Sequence, residues 1–178
     1  EETLKALTKW PLATLPERQQ LDKLRLIGVS LSRNGLPSTE LVEFAIERLN
    51  KSYPNASPLV NREIAQVLIA LGAPDVVGKT LAIMAKSKNQ EEIMHYLFHL
   101  RTARHWTPAQ RREYFAYWTA DRSGYTHQGD TVKWFELAGR SYGDGASFNN
   151  FLKNFRKEAV ANLSAEEKVE FASLLATT

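Results

Sequence analysis

The chain has 178 residues and no cysteine, which excludes disulfides, thiolate zinc sites, a cysteine nucleophile and covalent haem attachment within it. Its formal charge of +3 and pI near 9.1 permit an acidic partner without demanding one, and no apolar run approaches the length of a bilayer span. The charge is uneven: +1 over residues 1 to 60, +3 over 61 to 122 and −1 over 123 to 178, so the basic excess sits in the middle.

In chain order, Leu4, Leu7 and Trp10 have helical spacing up to Pro11, as the stub of an upstream repeat would. With Glu1-Glu2-Thr3 at the start, no initiator methionine and no charged-then-apolar leader, the sequence is expected to be a piece of a longer protein. Thr14-Leu15-Pro16-Glu17 fits a capping box and opens a first hairpin, from about Pro16 to Tyr53, that breaks at Asn34-Gly35. Ser57-Pro58 opens a second hairpin, which turns at Gly72-Ala73-Pro74 and ends near Ser87. A third begins at Asn89-Gln90-Glu91-Glu92, turns at His105-Trp106 and restarts at the capping box Thr107-Pro108-Ala109-Gln110. Residues 123 to 146 hold five of the nine glycines and read as a Gly-rich insertion, a candidate functional loop. In a fourth hairpin Phe148, Phe151, Leu152, Phe155 and Ala159 form one stripe, and Ser164-Ala165-Glu166-Glu167 caps the last helix.

The hairpins repeat in register. Phe44-Ala45-Ile46, Leu81-Ala82-Ile83 and Phe115-Ala116-Tyr117 recur at spacings of 37 and 34 residues, each beginning seven residues after a proline (Pro37, Pro74, Pro108) that suits a helix start. In the preceding helices Leu31, Leu71 and Leu100 are equivalent; seven residues earlier stand Leu24, Ile64 and Ile93, four earlier Ile27, Val67 and Tyr96, and two earlier Val29, Ile69 and Phe98. Such a stripe has to be buried against neighbouring helices, and one hairpin cannot bury it alone. With no strand-length alternation, the expectation is an all-α HEAT/armadillo-like α-solenoid of about four helical hairpins, residues 1 to 178 forming a single helical-repeat domain. Its core should include Ile64, Val67, Leu71, Leu81, Ile93, Leu97 and Leu100.

Few residues suggest chemistry. His95 and His99, four apart on one helix, suit a shared metal; yet His99 aligns with Ser30 and Ala70, small residues suited to a tight helix contact, and no zinc-protease arrangement follows. Packing is the expected role. Arg101, Arg104, Arg111 and Arg112 cluster at a helix-helix turn with no acidic residue from Arg101 to Arg112, and are the candidate partner-binding residues. Arg101 and Arg104 also suit neutralising a helix C-terminus. Beside them Tyr114, Tyr117 and Trp118 offer rings for stacking on bases, whereas Phe115 and Trp118 fit the repeat core. No catalytic residue and no metal ligand is assigned.

Several strings resemble one family. Ser57-Pro58-Leu59 with Asn61-Arg62-Glu63, Gln90-Glu91-Glu92 running into His95-Tyr96 and Leu100-Arg101, Trp106-Thr107 with Gln110-Arg111 and Tyr114-Phe115, and Gly145-Ala146-Ser147-Phe148 with Phe151-Leu152-Lys153-Asn154 and Arg156-Lys157 form an ordered series. Over residues 57 to 165 the series resembles the helical-repeat segment of large haem-binding proteins of planctomycetes and related bacteria, often labelled membrane-bound dehydrogenases. That resemblance implies a β-propeller before the repeats, a cytochrome c module with a CxxCH motif after them, and an extracytoplasmic (periplasmic) multidomain redox protein. No cofactor is expected in this piece, haem c lying elsewhere in the parent protein. This sequence departs from the family in lacking CxxCH and in the stretch from about Thr126 to Tyr142. The expected function is a non-catalytic scaffold or protein-interaction module whose partner is a protein or a neighbouring domain of the same chain. The alternative is a nucleic-acid binder resembling HEAT-like alkylpurine DNA glycosylases.

Overall fold

A computed structural model describes residues 2 to 118 and 146 to 176, with the side chains of 3, 4, 8 and 146 to 153 outside the description. Most of the Gly-rich insertion, including everything from 123 to 145, therefore lies outside the described residues. The described residues form helices and connecting turns without a β-strand and are all-α. In order they are α1 (Glu2–Thr8), α2 (Glu17–Asn34), α3 (Thr39–Asn50), α4 (Pro58–Leu71), α5 (Val76–Met84), α6 (Gln90–Leu100), α7 (Pro108–Ala116), α8 (Ala146–Ala161), α9 (Ala165–Glu170) and α10 (Ala172–Ala176), with a 3₁₀ turn at Leu12–Thr14. They fall into two compact units. The first comprises Glu1–Thr80 with Ala103–His105, the second Leu81–Thr102 with Trp106–Thr178.

Helix boundaries follow local chemistry at most ends. Ser57, Asn89, Thr107 and Ser164 each accept a backbone N–H of the first turn, and Thr107 with Gln110 and Ser164 with Glu167 close reciprocal capping boxes. α4 ends at Gly72, whose φ of 74° and ψ of 35° lie in the left-handed region that only glycine adopts without cost, and Ala73 N–H returns to Leu68 O at 2.9 Å. Gly35 ends α2 at φ 73°. The start of α2 departs from expectation. Thr14 does not cap it, because in the 3₁₀ turn its hydroxyl donates back to Pro11 O (2.8 Å); Pro16 takes the cap position and has no side-chain acceptor to offer. The last helix is also interrupted, at Phe171, which is 1% exposed and anchors the break between α9 and α10.

In the first unit α2 packs on α4, α4 also receives α3, and α1 meets α2 and α3. Leu24, Ile64, Val60 and Leu68 are fully buried there. Three of the unit's buried polar side chains are matched: Tyr53 Oη donates to Thr80 Oγ1 (2.7 Å), whose own proton goes to Val76 O (2.7 Å), and Asn61 pins the chain at Asn55 through two hydrogen bonds. In the second unit Tyr96, Leu97, Leu100, Tyr114, Phe115, Phe155 and Phe171 form the core, and α7 meets α10.

All seven residues expected in the core are buried, Leu71 being the most accessible at 6%. Every residue of the first three columns is buried, but in the fourth Val29 is 49% exposed although Ile69 is buried. The pattern also fails at Phe44, 37% exposed, which lies under the Arg48 guanidinium at 5.1 Å. The buried face of α3 (Thr39–Asn50) runs through Leu41 and Leu49, and at 100° per residue Phe44 lies to one side of it. Truncating Leu71 to alanine is expected to lower stability by about 2–5 kcal/mol, and Val29→Ala by about 0.5 kcal/mol or less, in urea denaturation followed by circular dichroism. Equal costs at the two positions would show that the stripe has been drawn on the wrong side of α2.

The arginine turn as candidate functional site

The turn between α6 and α7 runs from the C-terminus of one helix to the capping box of the next and includes His105 at φ 59°. Of the four candidate arginines, Arg101, Arg111 and Arg112 belong to the second unit and Arg104 to the first, where its Cδ lies 3.9 Å from the position a Cβ on Gly72 would take. Within the second unit the three arginines meet three glutamates that follow 56 to 58 residues later, Glu158 on α8 and Glu167 and Glu170 on α9.

Arg101 Nε donates to Glu158 Oε2 at 2.6 Å, its Nη1 to Phe98 O at 2.6 Å, and its guanidinium stacks 3.7 Å from the centre of the Phe98 ring. Arg111, with only 8% of its side chain exposed, reaches Glu167 Oε1 at 3.3 Å and lies over Trp106 at 4.5 Å. Arg112 meets Glu170 at 2.7 Å on an exposed surface. Asn162 joins two of the arginines: its Nδ2 donates to Arg101 O (2.7 Å), while its carbonyl accepts from Arg111 Nη2 (3.5 Å). Glu167 divides its carboxylate, one oxygen on Arg111 and the other accepting Ser164 N–H at 2.9 Å in the capping box.

Burial explains the electrostatics. Removal from water weakens the hold of Arg111 on its proton, and Glu167 pulls the other way. Burial raises the Tyr114 phenol far above its ordinary value, so it stays protonated and donates to Leu97 O at 2.9 Å. Tyr114 is completely buried and therefore presents no ring to a base, in contrast to the stacking role its sequence position suggests; Phe115 is buried as expected, and Trp118 is half-buried with its ring 4.7 Å from Phe155.

His95 and His99 do meet, ring centres 4.5 Å apart. Burial, aided by the Arg101 charge, pushes the His99 imidazole down to about 4. No group of three or more histidine, aspartate or glutamate side chains with metal-ligand spacing occurs among the described residues, and no helix there is long and apolar enough to cross a membrane.

The glutamates were not singled out as partners in the sequence. The only hint was the charge asymmetry, +3 over residues 61 to 122 against −1 over 123 to 178. No protein-family model matches this chain, and no curated protein or solved structure matches it.

Glu167→Ala strands a buried guanidinium and breaks a capping box, so it is expected to cost about 2–4 kcal/mol, whereas Glu170→Ala, which frees an exposed pair, should cost about 0.5 kcal/mol or less in urea denaturation. For His99, the unfolded chain binds a proton near pH 6.5 while the folded chain does so only near 4, so stability is lost as pH falls through that window. From pH 7 to 5 this residue should remove about 1.5–2 kcal/mol, and His99→Gln should flatten the profile there. The lowered Asp75 carboxyl, where the Lys79 and Asn50 bonds outweigh burial, acts below that range.

Proposed function

We propose that the chain is a non-catalytic, HEAT-like helical-repeat scaffold that spaces or docks domains in a larger extracytoplasmic, haem-binding, dehydrogenase-like protein. One observation carries this reading. Helices α2, α4 and α6 bury equivalent positions, Leu24, Ile64 and Ile93 in one column and Leu31, Leu71 and Leu100 in another, as stacked repeats would require. The ordered strings between residues 57 and 165 add the family to the architecture. The arginine turn fits the same role: Arg101, Arg111 and Arg112 are drawn inward by Glu158, Glu167 and Glu170, a use of charge that favours a fixed helical junction over a phosphate-binding ridge. Arg104, exposed and with no carboxylate partner among the described residues, is the one of the four left as a direct contact for a partner.

The test is the full-length protein. Its reduced spectrum should show haem c, and limited proteolysis should release this segment as a folded piece without haem absorbance; a full-length protein devoid of haem would remove the family assignment. Fluorescence anisotropy with duplex DNA at physiological salt separates the alternative. Binding should be micromolar or weaker, as for sequence-independent contacts by a few cations. Nanomolar binding to damaged duplex with release of a base would replace the scaffold with a glycosylase-like activity.

A further inference from the structure

A pocket of about 150 Å³ opens in the first unit between the Trp10–Thr14 segment, α2 and α3. Its apolar lining includes Leu12, Ile27, Ala45 and Leu49, and Trp10, itself 66% exposed, forms part of the wall. Three cations line it as well: Lys23, Arg48 and Lys51. Lys51 is engaged by Glu47 at 2.6 Å. Lys23 and Arg48 have no such partner among the described residues.

Lys23 is the unusual one. Only 8% exposed, it donates a hydrogen bond to Trp10 O, which leaves two ammonium protons over, and no carboxylate lines the pocket among the described residues. Burial, and then the Arg48 charge, hold its ammonium below the ordinary lysine range. A buried cation facing a second cation is normally matched by an anion. This chain supplies none from its described residues, although it matches Arg101, Arg111 and Arg112 one by one.

We propose that this pocket binds a small aromatic carboxylate, its ring among Leu12, Ile27, Ala45 and Leu49 and its carboxylate on Lys23 and Arg48. Volume sets the size class, since an apolar cavity of about 150 Å³ holds a benzene ring. Charge sets the head group: two cations reward a carboxylate over an amide of the same shape, through hydrogen bonds strengthened by the charge on both sides. Arg48 also lies over the Phe44 ring, which holds its guanidinium on the α3 surface next to the pocket. The inference is independent of the scaffold reading, because it concerns a side-chain set in the first unit alone.

The probe is benzoate, titrated into the chain by calorimetry, with benzamide as the neutral isostere and 2-naphthoate as the oversized acid. Benzoate should bind saturably and benzamide about tenfold more weakly or worse, the loss expected when a charge-assisted contact is removed. Exposed Arg48→Gln should weaken benzoate by a similar factor, and Ala45→Phe, which fills the pocket, should abolish binding; circular dichroism checks that each variant is folded. Because Lys23→Met alters a buried group, it serves only as a supporting variant. Equal binding of benzoate and benzamide would reduce the site to an apolar cavity and overturn the proposal. So would benzoate binding that survives both Arg48→Gln and Ala45→Phe, naphthoate binding as tightly as benzoate, or no saturable benzoate binding at all.

Discussion

A helix whose apolar stripe is wider than its hairpin partner can cover must find a third helix, and that constraint organises both compact units. In the first, α4 has apolar or small residues around most of its circumference, with Val60, Ile64, Ala65, Val67, Leu68, Ile69 and Leu71 all buried, so it receives α2 on one side and α3 on another. In the second, α6 buries Ile93, Tyr96, Leu97 and Leu100, among the same core residues as Tyr114 and Phe115 of α7 and Phe155 of α8. Each fully buried leucine or isoleucine contributes about 1.5–3 kcal/mol relative to exposure. The helices themselves, several of fewer than ten residues, would be marginal without that packing.

Burial on this scale carries polar groups inward, and the matching of those groups fixes the local geometry. Tyr53, Thr80, Asn61 and Tyr114 are answered by short hydrogen bonds within their own units. Arg111 is the demanding case, because a guanidinium taken out of water is costly unless a charge and several acceptors meet it. Glu167 meets it while capping α9, so one carboxylate ties the orientation of α7 to the start of α9. Asn162 adds a second tie between α6 and the end of α8. The outcome is a junction in which charge sets helix position more than it adds net stability.

What the sequence made legible was local or periodic. The stripes of α4 and α6 could be read because period 3.6 needs no knowledge of the partner, and Ser57, Asn89, Thr107 and Ser164 because a cap acts within four residues. Thr14 misled for the opposite reason: its hydroxyl had a nearer acceptor in a 3₁₀ turn that no cap rule contains. Phe44 misled because the buried face of α3 runs through Leu41 and Leu49, about a quarter turn away, and Arg48 offered the ring a place outside. The arginine turn is legible in sequence as a cluster, but its glutamate partners are not. Its glutamates lie 56 to 58 residues away, and only tertiary folding brings opposite charges together over that distance. The pocket around Lys23 was invisible altogether, since it exists only where the Trp10–Thr14 segment folds back over α2 and α3.

Those two treatments of positive charge separate structure from binding better than residue type does. Arg101, Arg111 and Arg112 look in sequence like a ligand ridge, and each is met by a glutamate of the same unit, two of them with aromatic rings stacked within 5 Å. A ligand would have to displace those partners at each position before gaining anything. Lys23 is a single lysine in the middle of a helix and looks ordinary, yet it is buried beside Arg48 in an apolar hollow with no carboxylate on its lining among the described residues. An anion arriving there displaces no carboxylate of the described lining and relieves a like-charge repulsion between Lys23 and Arg48. The place to look for a ligand is thus the pair of cations left unmatched among the described residues, even though the denser cluster of arginines is the one that draws the eye in the sequence.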